Sequence, residues 1–427
     1  MSAITEKIIP HSLSQIPDVQ PECPARLKNA PPLFEKLWRA ALKEIEDNYC
    51  IDTPYGVIYS AGNAGRHFRA RIFNRDVGYS GLLGMNALYP EKMLSSMKII
   101  RRIRLELGWL CPKDRVISGV PDVVVEDSVN SDFMVTHLKA SPINKTDDVL
   151  WLWCVDDLLE RMGNPIEEWK WLYENGVASF EKLYAPFWDE QDCLYYGQPT
   201  FIDVGYTGYP DEMGPQGENE TCNRDIWVKA SSTNALYYKG LRVMAKAARM
   251  MGKADEAALY DERAEKLAVA MREKLRFPDG TFAYFRHPDG RLEPRQEALG
   301  AAFPVLTGVV TGEDARKAVE SYPFTPWGAP LLHPFYDRDD FYHNNSAWPF
   351  ASTFLSWAKE KATGVTHADE NLLMLLNAVK NGCLYEVFDL RTNEPCKCPS
   401  QLWTDAAFIN ACARKGWVDL PGLSGPV

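Results

Sequence analysis

The chain has 427 residues, 46% of them hydrophobic and 12% aromatic, with a formal net charge of −11. This composition supports a large core and excludes disorder, and acids and bases mixed along the chain leave no electrostatic footprint for nucleic acid or an anionic membrane. No apolar run approaches a bilayer span and the opening MSAITEKIIPHSLSQIP has no continuous apolar segment, so a cytoplasmic protein with neutral or small partners is expected.

Residues 1–31, rich in Pro, Ser and polar side chains, read as an extended arm, and 32–427 as the body. A single core stops growing at about 250–300 residues, so a body this long calls for two domains or a core arranged as a ring. A polar helix near 32–49 comes first. The stretch HFRARIFNRDVGYSG, 67–81, follows; Arg75 and Asp76 adjoin at the start of a more apolar helix, 76–88, where Asp76 serves as an N-cap, an ion-pair partner or a binder of sugar hydroxyls. Over 91–107, Met93, Met97, Ile100, Ile103 and Leu107 form one stripe of a surface helix after Pro90.

NKTDDVLWLWCVDDL, 144–158, opens the next apolar helix, 146–161. Asp148 in its first turn is a candidate substrate-binding residue, with the helix dipole, which favours acids at a helix start, as the structural alternative. A polar helix near 165–185 leads to a long loop over 199–238 with several aromatics and acids. Within it Asp203 is flanked by Phe201, Ile202 and Val204; buried, its pKa would rise toward that of a general acid, whereas in an ordinary loop it would satisfy backbone amides. Then come an apolar helix over 229–251, a surface helix over 254–275 with Tyr260, Ala264, Leu267, Met271 and Leu275 on one face, and the hairpin-like TFAYFRHPDGRL, 281–292.

Helices near 294–309 and 312–320 precede the loop 321–350, which collects Trp327, Tyr342, His343, Asn344 and Trp348 just before an apolar helix over 344–360. Such groups stack on sugar rings and bond hydroxyls. After a helix near 366–380, GCLYEVFDLRTNEP sets one acid, Glu386, among Leu384, Tyr385, Val387 and Phe388, and CPSQLWTDAAF brings Gln401 and Trp403 to the start of the last helix, 400–414. An acid in apolar surroundings is solvated on an alternating strand, paired with a base, or kept for chemistry.

The count is twelve helices in two alternating sets of six, one apolar on most sides and one polar on its outer face. That alternation predicts an all-α fold, an (α/α)6 barrel of six helical hairpins with short β-hairpins in its loops. Its inner helices would converge on a pocket at one end. The ten cysteines are scattered, and the C-x-C of Cys396 and Cys398 lacks zinc-type spacing, so neither disulfides nor a metal nor any cofactor is expected. Thirteen Trp raise a carbohydrate ligand by composition alone.

The segment YHNNSAWPF resembles the Y-H-N-G-S-x-W-P motif of glycogen-debranching-type amylo-α-1,6-glucosidase domains. The run from Tyr385 to Trp403 is similar to the same family's E-x-F-D and C-x-A-Q-x-W ending, and STNALYYKGLRVMAKAARMMGKADEAALYDERAEKL resembles a helix pair of processing α-glucosidases and trehalases. The resemblance covers most of 67–414. It implies a six-hairpin glycosidase that inverts the anomeric centre with two carboxylates, Glu386 standing where that family has its general base. An inverting pair stands about 6.5–9.5 Å apart to admit a water.

For the acid partner the family's E-S-G-x-D position reads FIDVGYTGYP here, leaving Asp203, with Glu212 and Asp225 as alternatives. Arg75 and Asp76 would hold terminal hydroxyls, and Trp327, Trp348 and Trp403 would stack an oligosaccharide or glycoside. The chain lacks the β-sandwich that precedes these barrels in the family, which leaves a homo-oligomer or the arm to shape the pocket mouth. A sugar 2-epimerase on the same ring, a non-catalytic sugar-binding protein and a phosphorolytic enzyme are the competing expectations.

Overall fold

The computed structural model describes residues 13–67, 73–106, 146–180, 187–197, 199–202, 228–339 and 341–423. Along them run α1 (Pro32–Asp47), α2 (Asn74–Ser80), continued by a π turn over Gly81–Met85 and a last turn at Asn86–Leu88, and α3 (Pro90–Glu106). Next are α4 (Asp147–Arg161), α5 (Ile166–Ser179), α6 (Ser231–Met250), α7 (Ala254–Lys274), α8 (Ala298–Thr307) and α9 (Gly312–Val319). The last three are α10 (Pro349–Thr363), α11 (Ala368–Asn377) and α12 (Leu402–Arg414).

Odd and even helices differ as their sequences require. α1 starts on a Pro, which has no amide to lose at a helix start, and buries Phe34, Leu37, Trp38, Ala41, Leu42 and Ile45 along one stripe. Likewise α3 buries Met93, Met97, Ile100 and Ile103, and α7 buries Tyr260, Ala264, Leu267 and Met271. Every residue of α12, by contrast, is buried, so it is enclosed on all sides. The even helices touch one another in order: α2 with α4, α4 with α6, α6 with α8, α8 with α10, α10 with α12, and α12 with α2. Each odd helix packs outside them, α5 for instance against α4 and α6, and α9 against α8 and α10.

Between the even helices lies an aromatic centre. Tyr79 of α2 stacks on Phe350 of α10 at 5.3 Å, Trp153 of α4 meets Phe303 of α8 edge-on at 5.6 Å, and Phe350 stacks on Trp403 of α12 at 4.2 Å. Away from it, the Arg414–Glu360 pair ties α12 to α10 at 2.9 Å, fully buried. The arm residues described are bound to the body: Lys28 N–H donates to Trp417 O, and the amides of Glu22 and Cys23 donate to the Glu46 carboxylate.

Strands fill the loops. β1 (Tyr49–Thr53) pairs with β2 (Gly56–Tyr59), and β3 (Trp188–Asp189) with β4 (Leu194–Tyr195). The stretch 281–292 is more than a local hairpin: β6 (Phe285–Arg286) pairs with β5 (Lys229–Ala230), immediately before α6. Similarly β7 (Gln296–Glu297) pairs with β8 (Leu332–His333), so that α8 begins four residues later than the apolar run 294–309 suggests. The segment carrying Glu386 is β11 (Cys383–Asp389), in a four-stranded sheet with β9 (Ser346–Ala347), β10 (Val379–Lys380) and β12 (Glu394–Pro399). No described helix is long and apolar enough to cross a membrane.

Candidate active site

The site lies where the even helices begin. Their first turns are joined side to side: Asn74 Nδ2 donates to Asp147 O, Ser232 Oγ to Glu297 Oε2, and Gln401 Nε2 to Asp76 Oδ1. Converging N-termini put partial positive charge where these acids sit.

Glu386 is 2% exposed. Its Oε1 accepts the Tyr342 hydroxyl at 2.8 Å and its Oε2 accepts the Cys398 amide at 3.0 Å. Backbone irregularities create both bonds. Strand register slips between Tyr385 and Val387, opposite Lys397, which takes a left-handed φ of 69°; the bulge turns the Cys398 N–H toward the carboxylate. Tyr342 has a φ of 124°, a region costly for a bulky residue, and is held there by Trp348, whose Nε1 donates to Tyr342 O at 2.9 Å. Burial pushes the Glu386 carboxyl up to about 7, against the lowering by the Cys398 amide, Tyr342 and the charge of Lys397.

An aromatic frame surrounds this acid. The Phe201 ring meets Trp348 at 4.6 Å, Phe350 at 4.9 Å, His343 at 5.2 Å and Trp403 at 5.5 Å, while Tyr342 meets Trp348 at 4.9 Å. His343 is fully buried and its ring lies parallel to Trp348. Gln401, which holds Asp76, presses its Oε1 against Gly62 so closely that a Cβ there would lie 2.5 Å away. Two buried polar atoms at this end, Gln401 Oε1 and Trp403 Nε1, have no hydrogen-bond partner among the described residues.

Of the residues singled out from sequence, Glu386, Tyr342, His343, Trp348 and Trp403 share this cluster, with Asp76 and Gln401 paired beside it. Others have their described contacts elsewhere. α2 begins at Asn74, so Asp76 sits inside its first turn and is not the N-cap. Arg75 Nη1 donates to the carbonyls of Thr200 and Phe201 at 2.9 and 3.1 Å, which makes it a brace for that segment. Asn344 closes the loop over Tyr336 and Arg338 through backbone bonds. Asp148 faces Arg101 of α3 in a buried pair at 2.7 Å, and Trp327 sits on the Thr325–Gly328 turn with none of the frame's rings against it. Asp203, Glu212 and Asp225 lie outside the described residues.

Sequence reasoning missed the Cys398 amide and Thr200, which carry no signal in residue type. It also passed over Glu297, an acid directly before the apolar run ALGAAF, where the logic applied to Glu386 would have found it. Among the described residues no cluster of His, Cys, Asp and Glu is arranged to hold a metal.

Residues 202–404 match the family of mannosylglycerate hydrolase MGH1-like glycoside hydrolase domains. No curated protein matches the chain in sequence. Among solved structures, a glycosidase determined as a glutamate-to-alanine variant superimposes with a TM-score of 0.61 at 15% identity, over 96% of this chain and 99% of that one. A second glutamate-to-alanine glycosidase variant, in complex with glucose, gives 0.60 at 14% identity over 96% and 99%. The neutral trehalase Nth1 from Saccharomyces cerevisiae gives 0.51 at 13% identity over 78% of this chain and 70% of that one. Residues 202–404 are thus similar to a glycoside hydrolase domain, and the fold is similar to that of the glycosidases and the trehalase above.

Proposed function

We propose that this protein is an inverting, exo-acting glycoside hydrolase of a small α-linked oligosaccharide or glycoside, built on a closed (α/α)6 barrel. The unbroken succession of contacts through the even helices supports the barrel. The observation that carries the chemistry is the setting of Glu386, a carboxyl buried within an aromatic frame and oriented by the Tyr342 hydroxyl and the Cys398 amide. A group so placed, with its pKa raised to about 7, is poised to take a proton from water near neutrality.

In this reading Asp203 donates the proton to the leaving oxygen. Its support is the described chain just before it: Ile202 is buried, and Phe201 lies against the frame around Glu386. Asp76, oriented by Gln401, holds a hydroxyl of the terminal sugar, and Gln401 Oε1 and Trp403 Nε1, without a hydrogen-bond partner among the described residues, offer an acceptor and a donor for others. Trp348 and Trp403 supply the apolar face.

The matched family is named for hydrolysis of mannosylglycerate, a glycoside of an acid, and Lys397 here stands 5.5 Å from the Tyr342 ring beside Glu386. Glycosides with acidic aglycones therefore belong in the substrate panel. The test is a screen of α-linked disaccharides, aryl glycosides and acidic glycosides, run with Glu386→Gln and Asp203→Asn. Turnover by wild type that both variants abolish supports the assignment; full activity in either variant removes that residue from it. A substrate released into deuterated water with deuterium at C2 would favour an epimerase instead.

A further inference from the structure

Most buried charged groups of the molecule have an evident partner. Asp148 pairs with Arg101 and Glu360 with Arg414, each in a fully enclosed ion pair that ties helices together. Glu297 is different. It is 0% exposed at the start of α8, has no ion-pair partner among the described residues, and its Oε1 makes no hydrogen bond there. Its single described side-chain bond is to Ser232 at the start of α6, whose Oγ donates to Oε2 at 2.6 Å. Burial pushes the carboxyl up to about 8. An isolated group of this kind costs stability, and a fold retains it where its geometry has a use.

The use follows from the next bond. Because the Ser232 hydroxyl donates its hydrogen bond to Glu297, its lone pairs are left to accept, and they accept the Thr200 amide at 3.1 Å. Thr200 is gripped on every polar atom: its carbonyl by Arg75 at 2.9 Å, and its hydroxyl by Tyr79 at 2.9 Å and Thr146 at 2.8 Å. The following residue, Phe201, is the ring that touches His343, Trp348, Phe350 and Trp403. We propose that Glu297 is a positioning residue for the glycosidase reaction: through the Ser232 hydroxyl it fixes the Thr200 amide, and so sets Phe201 in the frame that aligns the sugar with Glu386.

The inference rests on the reading of that frame as the sugar site, and the test separates the two. Three variants are compared: Ser232→Ala, which removes the relay; Glu297→Leu, which removes the acceptor at similar volume; and Glu297→Gln, which keeps an amide oxygen for Ser232. Amide hydrogen exchange of the peptide spanning 199–202, together with kcat and KM on the glycoside found by the screen, are the readouts. In Ser232→Ala and Glu297→Leu, exchange at Thr200 accelerates and kcat falls about 10- to 100-fold, the scale of a small misalignment, with KM changed less than about twofold. Glu297→Gln stays near wild type in both. Unchanged exchange in Ser232→Ala overturns the relay, and damage in Glu297→Gln equal to that in Glu297→Leu overturns the acceptor role. Faster exchange with wild-type kcat overturns the catalytic role. If wild type turns over no glycoside, the sugar-site reading and the catalytic role fall together, while exchange alone decides the relay; Ser232→Ala serves where Glu297→Leu does not fold.

Discussion

Replacing Glu386 with Gln tests chemistry and electrostatics in one protein. Burial lifts this carboxyl from 4.5 to about 7. Because the folded-state value exceeds that of the unfolded chain, the folded protein holds the proton more tightly. The stability this provides is complete below pH 4.5 and is lost as pH rises to 7. At about 1.4 kcal/mol per pH unit, the loss is about 3 kcal/mol. Glutamine does not titrate, so the variant escapes this loss, although its amide sets an N–H against either Tyr342 or the Cys398 amide at a constant cost of about 1–3 kcal/mol. Melts of both proteins at pH 4, 6 and 8 should show the stability of the variant relative to wild type rising by about 3 kcal/mol over the series, or about 3 °C in Tm for a chain of this length. Over the same range its turnover should be lower by about 10²–10⁴-fold, the contribution of a general base. A relative stability flat with pH would mean an ordinary solvated acid and refute the reasoning.

Other changes follow from single contacts. Gly62→Ala sets a Cβ 2.5 Å from Gln401 Oε1, displacing the side chain that orients Asp76; kcat/KM should fall about tenfold, and a value equal to wild type would show that the Gln401–Asp76 bond is unimportant. Trp348→Phe deletes the Nε1 donor to Tyr342 O and Ser346 Oγ, so Tyr342 should relax from its strained φ and the acid limb of the kcat/KM profile should move from near pH 7; an unmoved limb contradicts this. Arg101→Met removes the guanidinium paired with the buried Asp148 and should cost about 3–5 kcal/mol in urea unfolding, where a loss under 1 kcal/mol would show the pair to be unimportant. Glu297→Gln should gain stability over wild type as pH rises from 4.5 to 8, since the folded-state carboxyl titrates near 8; a constant difference would place its pKa in the ordinary range.

Much of this was legible in the sequence where a pattern has one physical solution. The stripe Met93, Met97, Ile100, Ile103 can bury itself only as a helix with one covered face, and the run around Trp403, with apolar residues on most sides, only as an enclosed one. Clusters at the helix starts, such as YHNNSAWPF, collected the aromatic frame because stacking groups are recognisable by type. Residues whose role depends on direction were not legible. Arg75 and Asn344 look like binders of hydroxyls, yet each also has a donor on backbone carbonyls across the loops, and no local pattern encodes that choice. Asp148 differs from Asp147 by one step along a helix, a rotation of about 100°, which turns it to Arg101. The bulge that brings the Cys398 amide to Glu386 arises from tertiary register and left-handed backbone at Lys397.

The central claim is that Glu386 activates a water which attacks the anomeric carbon opposite the leaving group. Proton NMR of the first sugar released from an α-linked substrate, recorded before mutarotation, tests it most directly. The account predicts the β-anomer as initial product; an α-anomer would contradict it and require a covalent glycosyl intermediate.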